Sequence, residues 1–141
     1  MAGEIQVTVI TPERTVLRDL ACDAVILPVV DGSMGILPLH APMVAVLRTG
    51  ILKLKHDGRY EPVAVMGGFA EVSENRVTIL AEAAERAEEI DVLRARAAKE
   101  RAEARLRSRQ ENIDRARAEA ALQRALVRLK VAGYLAENRR N

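Results

Sequence analysis

Asp91, Arg94 and Arg101 stand at i, i+3 and i+10, close to one stripe of a helix, and Arg124 and Arg128 follow at i and i+4. Folded as two antiparallel helices, such a segment could converge three or four guanidiniums on phosphate groups through paired hydrogen bonds. A carboxylate such as Asp91 can accept from an exocyclic amine, and Ile90 beside it offers an apolar wall. This is chemistry for holding an anion, not for breaking a bond. The same residues also fit a plainer account. Glu88, Glu89 and Asp91 stand where a helix begins, where acids favour the macrodipole or cap free N–H groups, and Arg94 and Arg101 can simply be solvated.

Other chemistry is hard to find. The chain has no phosphate-cradling Gly-rich loop and no dinucleotide fingerprint. Two His and one Cys make a metal cluster a poor expectation, and His40 and His56 have no partner at a ligand spacing. No Ser sits in a nucleophile-elbow context, so no catalytic residue is expected. The arginines from Arg94 to Arg128 could instead neutralise nucleic-acid phosphates. Against this, acids are interleaved at supporting spacings, Glu111 with Arg115 and Asp114 with Arg117, and no aromatic stack is available for bases.

The elements that must carry these residues come in two kinds. Ile5, Val7 and Val9 alternate with polar residues, and short runs rich in Val, Ile and Leu follow at 14–20, 24–29, 51–55, 61–66 and 76–80. Asp31-Gly32, Thr49-Gly50, Asp57-Gly58, Gly67-Gly68 and Glu74-Asn75 read as the turns between them, with Pro28, Pro38, Pro42 and Pro62 at strand ends or edges. Many short strands at this spacing predict a β-sandwich or barrel. From Ile90 the period changes. Ala95, Ala98, Ala102 and Leu106 repeat at helical spacing, as do Ala118, Leu122, Ala125, Leu129 and Ala132, with a turn expected within 108–112 and a C-cap at Gly133. The predicted fold is α+β: an N-terminal antiparallel β-sandwich over residues 1–88, then a C-terminal antiparallel two-helix hairpin over 89–141 with a frayed tail.

Charge divides the same way. Residues 1–89 hold 8 Lys/Arg against 13 Asp/Glu, whereas residues 90–141 hold 14 against 7, which suggests two modules with different partners. Phe69, Tyr60 and Tyr134 are the only aromatics, so the core must be aliphatic. Cys22 stands alone, which rules out an internal disulfide and suits a reducing compartment. The first residues lack the pattern of a secretory signal, and no apolar run approaches the roughly 20 residues of a membrane span, so no direct membrane insertion is expected.

Three segments in order resemble the epsilon subunits of bacterial F-type ATP synthases: Gly32-Ser33-Met34-Gly35-Ile36-Leu37-Pro38-Leu39-His40-Ala41-Pro42, then Gly67-Gly68-Phe69-Ala70-Glu71-Val72 with Val77-Thr78-Ile79-Leu80, then Ile90-Asp91-Val92-Leu93-Arg94-Ala95. The resemblance spans Ile5 to about Ala132. It implies a non-catalytic rotor subunit of the central stalk, in which the sandwich meets the gamma subunit and the c-ring and the hairpin restrains ATP hydrolysis by the catalytic beta (and alpha) subunits. It also implies a peripheral place on the cytoplasmic side of the cell membrane, within a proton-translocating complex. The resemblance further places Ala81 to Glu89 as an exit from the last strand, although Ala, Glu and Arg there favour helix.

What the resemblance implies for single residues is narrower. The loop matching Gly32 to Pro42 faces the c-ring, with His40 the contact carried over; Ser33 and Leu39 depart from the Glu and Gly that are usual in the family. The signature Ile90-Asp91-x-x-Arg94-Ala95, with Glu85, Arg101, Arg124 and Arg128, matches a site at which some members bind ATP as a regulatory ligand without hydrolysing it, and no cofactor is required. Arg115 and Arg117 are the residues expected to meet an acidic segment of beta. The rival expectation is a free-standing nucleotide-sensing or nucleic-acid-binding module that uses only the basic hairpin.

Overall fold

A computed structural model describes residues 3–140, with side chains through Leu135. The chain divides into two compact units, Met1–Arg86 and Ala87–Asn141.

The first unit is built from eight strands: β1 (Ile5–Ile10), β2 (Thr15–Cys22), β3 (Ala24–Val29), β4 (Gly32–Ile36), β5 (Met43–His56), β6 (Arg59–Ser73), β7 (Arg76–Ala81) and β8 (Ala84–Arg86). Their order is β2-β1-β7-β6-β5-β3-β4, with β8 on the edge of β6, and every ladder is antiparallel except β1 with β7. Burial along β5 and β6 shows how this sheet becomes a sandwich. In β5 the buried side chains are Ala45 and Leu47, then Leu52 and Leu54; in β6, where 62–66 are all buried, those that join the core between the layers are Val63 and Val65, then Ala70 and Val72. Parity switches in the middle of each strand. Side chains alternate faces along a strand, so each strand must turn a corner there and pass from one layer to the other. Pairing continues through the corner, with Leu47 opposite Gly68 and Thr49 opposite Met66.

Thr49-Gly50 and Gly67-Gly68 are therefore not turns between strands, as their composition predicts, but corners inside two long ones. Gly67 has φ +71 and Gly68 φ +120. A Cβ at Gly68 would overlap the Leu80 carbonyl oxygen and lie 2.8 Å from Ala81 Cα, in the backbone of β7. The other turns follow their residue types. Asp57 and Gly58 both have positive φ, as do Glu74 and Asn75, which fits two-residue hairpin loops. Gly32 to Ile36, expected as part of a loop, instead pairs with β3 along its length. Pro28 lies within β3, where the ladder to β5 slips between Ile26 and Val29. Pro62 pairs with Lys53 on one side, and pairing with β8 on the other begins only at Val63, so no ladder bond is lost there.

The core between the layers is aliphatic, with Ile5, Val7, Val9, Val25, Leu27, Ile36, Leu52, Leu54, Val63, Val65, Val72, Val77 and Ile79 all nearly inaccessible. Cys22 belongs to it. Burial, and then the charges of Glu61 and Asp23, push its thiol up to about 11. Near the end of the unit, Arg86 grips Glu61 with two hydrogen bonds, Nε to Oε2 at 2.9 Å and Nη2 to Oε1 at 2.7 Å, and His56 Nε2 lies 3.3 Å from the same carboxylate. This ties β8 to β6 beyond its three backbone pairings. The stretch from Ala81 to Glu89 is thus strand and a 3-10 turn (Ala87–Glu89), not an extension of the helix.

The second unit holds that 3-10 turn, α1 (Val92–Arg107) and α2 (Arg115–Arg140). Ala95 and Ala102 on α1 and Ala118 and Ala125 on α2 are buried, each pair seven residues apart, and they form the seam of an antiparallel pair. Gly133 does not cap α2, which runs on to Arg140; helix formers on both sides outweigh the roughly 1 kcal/mol cost of one glycine.

Three outcomes follow for the first unit. Gly68→Ala must push β7 aside at a strained φ, so it should cost about 3 kcal/mol and lower the melting temperature by at least about 12 °C, whereas Gly67→Ala, with no atom closer than 3.9 Å, should cost only about 1 kcal/mol. Leu39 holds φ +68 with its side chain 74% exposed, so Leu39→Gly should raise stability by about 0.5–1 kcal/mol in urea titrations. The folded thiol of Cys22 titrates above its unfolded value of 9.0, so its contribution is present below pH 9 and lost as pH rises toward 11; Cys22→Val should flatten the fall in melting temperature across that window.

Candidate functional site

The candidate anion site begins at the start of α1. Asp91 is the N-cap: its Oδ1 accepts the Arg94 N–H at 3.0 Å, and its carbonyl accepts the Ala95 N–H at 3.0 Å. The plainer sequence account of Asp91 is therefore correct as far as one oxygen goes, and Oδ2 makes no bond among the described residues. Ile90, 9% exposed, closes the 3-10 turn through its N–H to the Ala87 carbonyl at 3.3 Å. Ala95 is in the seam. Its smallness lets the two helix backbones approach.

The seam fixes where the arginines fall. Arg94, Arg101 and Arg124 each immediately precede a buried alanine, Ala95, Ala102 and Ala125. On two antiparallel helices that face each other, the residue one place before the seam lies on the same side of both. Arg94, Arg101 and Arg124 therefore share a flank, and Arg128, one turn beyond Arg124, joins them. Counted from the interhelical turn at 1.5 Å per residue, Arg94 is level with Arg128, and Arg101 lies within about 5 Å of the level of Arg124. Along the axis the two arginines are about 10 Å apart on α1 and about 6 Å apart on α2. Arg94 and Arg101 are exposed, Arg124 and Arg128 half-buried, and the first three engage no carboxylate among the described residues. Glu85 sits in the other unit, half-buried in β8 opposite Ala64.

Arg117 also precedes a buried alanine, Ala118, and shares this flank. The two arginines expected to meet an acidic partner are placed differently. The Arg117 side chain is exposed and bonds to no other described residue, while Arg115 donates to the carbonyls of Leu106 and Ser108 at 2.9 Å each. The expected pairs with Glu111 and Asp114 do not form. Arg115 faces the carbonyl end of α1 instead, and Asp114 caps α2 through the Arg117 N–H at 3.0 Å.

On the sandwich, His40 is half-buried and its Nδ1 lies 2.7 Å from the Ala41 carbonyl. Leu39 beside it donates its N–H to Asn75 Oδ1 at 2.6 Å, which holds the 37–42 loop against the β6–β7 turn. Ser33 is exposed on β4. A second surface was not anticipated. Val46 pairs with Phe69 and Phe69 with Leu80, and β1 places Ile10 beside Leu80, so four apolar residues cross the outer face in one row. Val46, Phe69 and Leu80 are 54%, 55% and 50% exposed, and Val44 near them 70%. Alternation within β5, β6 and β7 predicts polar residues at these places, and that mismatch was the available signal. Among the described residues no group of three or more His, Cys, Asp or Glu could hold a metal ion, and no helix is long and apolar enough to cross a membrane.

Residues 4–87 match the beta-sandwich domain of the ATP synthase delta/epsilon chain, and residues 88–133 match its long alpha-helix domain. The chain is 68% identical over 107 residues to the ATP synthase epsilon chain of Symbiobacterium thermophilum, covering 76% of this chain and 77% of that one. It is 52% identical over 109 residues to the epsilon chain of Carboxydothermus hydrogenoformans, covering 77% and 81%. Among solved structures it is similar to a chain of the mitochondrial ATP synthase of Euglena gracilis, determined as an OSCP/F1/c-ring assembly, with a TM-score of 0.77 and 30% identity over 92% of this chain and 81% of that one. A chain from the Tetrahymena thermophila enzyme, 16% identical with a TM-score of 0.53, shares the fold. A sandwich bent at paired glycines, followed by an alanine-seamed hairpin, is thus the architecture of a known lineage, and this chain belongs to the epsilon-chain family of bacterial F-type ATP synthases.

Proposed function

We propose that the chain is a rotor subunit of the central stalk, coupling rotation of the c-ring to the catalytic head of a proton-translocating synthase on the cytoplasmic side of the cell membrane. The observation that carries this reading is the row Ile10, Leu80, Phe69 and Val46. Adjacent apolar side chains half open to water on a rigid sheet are a face for a lasting neighbour. The gamma subunit is the occupant we assign to it. The 37–42 loop with His40 is the part assigned to the c-ring.

The hairpin is the regulatory part of the proposal. Four guanidiniums on one flank, with the free oxygen of Asp91 at its end, suit ATP: phosphates against the arginines, and the adenine amine toward the carboxylate. In an opened state the basic α2, with Arg115 and Arg117, would meet acidic residues of the beta subunit, and hydrolysis would be restrained. Both states use the same positive charge, so ATP and the catalytic head compete for it.

Removing residues after Glu88 should raise ATP hydrolysis by the assembled enzyme and leave assembly intact, measured on purified complexes; an unchanged rate removes the hairpin from regulation. Titrated with ATP, the isolated chain should gain about 2.7 kcal/mol of stability at a hundredfold excess over the dissociation constant, without hydrolysis. Arg94→Ala and Asp91→Ala should both reduce that gain. Melting that ignores millimolar ATP would leave the flank as solvated surface.

A further inference from the structure

We propose that Arg115 is a latch on the helical hairpin, a clamp that must release before the two helices can part. Arg115 is the first residue of α2, just after the Asp114 cap. A cation there opposes the helix dipole, whose N-terminal end is positive. Its compensation comes from the other helix. Nη1 donates to the Leu106 carbonyl and Nη2 to the Ser108 carbonyl, each at 2.9 Å. These lie at the C-terminal end of α1, where the partial charge is negative and the last carbonyls have no intrahelical donor. The neighbouring acceptors are already served, since the Ser108 N–H is shared by the carbonyls of Ala104 and Arg105 at 3.1 and 3.2 Å. Arg115 therefore completes the cap of α1 from the far side of the turn.

The identity of the two carbonyls makes this more than a cap. For α1 to run on through 108–114, the Leu106 carbonyl must accept from the amide of Gln110 and the Ser108 carbonyl from that of Asn112. The guanidinium occupies both. The Gln110 N–H goes instead to Ser108 Oγ at 3.3 Å. While Arg115 is in place the turn stays a turn. When the helices part, two bonds break together and the cation is left at the positive end of α2. An acidic partner that engages Arg115 must first take it from α1. Lysine keeps the charge but lacks the flat fork that reaches two carbonyls through separate nitrogens.

The test uses the isolated full-length chain and reads amide hydrogen exchange from Arg105 to Ser108 by NMR. Arg115→Ala and Arg115→Lys should both exchange about five-fold faster than the parent, the scale of about one net hydrogen bond. Arg109→Lys, in the same turn and with no side-chain bond to a described residue, should not change. Exchange within about two-fold of the parent in both Arg115 variants would overturn the latch. A second arm rests on the function proposed above: in the assembled synthase Arg115→Lys, with its charge kept, should deepen inhibition of hydrolysis. Faster exchange with unaltered hydrolysis would uphold the latch and remove hairpin opening from the inhibitory mechanism.

Discussion

Everything in the first unit depends on one close approach, that of the Gly68 backbone to the Leu80 carbonyl in β7. With no Cβ between them, β6 can take a φ of +120 where its ladder to β7 ends at Ala81, and change layers while keeping its register with β5. The alternative would be to end β5 and β6 at the corner and start new strands, exposing two sets of strand ends and needing two more turns. Bending continuous strands keeps the backbone paired. It also lets a small aliphatic core close without a large aromatic, because both layers are drawn together by the same two strands.

The second unit rests on the opposite economy. Its buried residues are mostly alanine, joined by Ile90, Val127 and Val131, so the apolar area holding it together is modest and the polar groups at the helix ends matter correspondingly more. Asp91 and Asp114 serve the two N-termini, Ser108 and Arg115 the C-terminus of α1. Capping of this kind contributes amounts comparable with what a thin seam supplies. Arg94, Arg101, Arg117 and Arg124 lie beside the seam and leave it undisturbed, whereas Arg115 is among the groups that tie the two helices together.

Local signals were legible in the sequence. Asp57-Gly58 and Glu74-Asn75 announce hairpin loops, Ile5, Val7 and Val9 announce a half-buried strand, and the helical stripes fall where their spacing puts them. Glycine was less informative. Gly67-Gly68 and Gly50 satisfy the same lack of a Cβ whether the chain reverses or bends, so composition alone reads both as turns. β4 was missed because its pairing with β3, not its alternation, makes it a strand. The stripe through Asp91, Arg94 and Arg101 was visible because helix spacing is local. The partners of Arg115 were not, since they are backbone carbonyls and carry no residue identity. The apolar row through Val46, Phe69 and Leu80 was also hidden, because its members meet only through the register of three strands.

The long β5–β6 hairpin has a mechanical meaning as well. Its backbone pairing runs in one register from Met43 opposite Val72 to His56 opposite Arg59, through both layers, with only the Arg48–Gly67 pair missing at the corner. A load applied along these strands at one end of the sandwich is carried as shear across many hydrogen bonds at once, and none has to open before the others. Side-chain contacts between layers would creep under the same load by sliding. With Arg86 pinned to Glu61 where the chain leaves β8, strain entering from the helices meets this stiff frame at a charged clamp rather than at a frayed strand end. The unit is therefore suited to pass on a twist with little elastic loss.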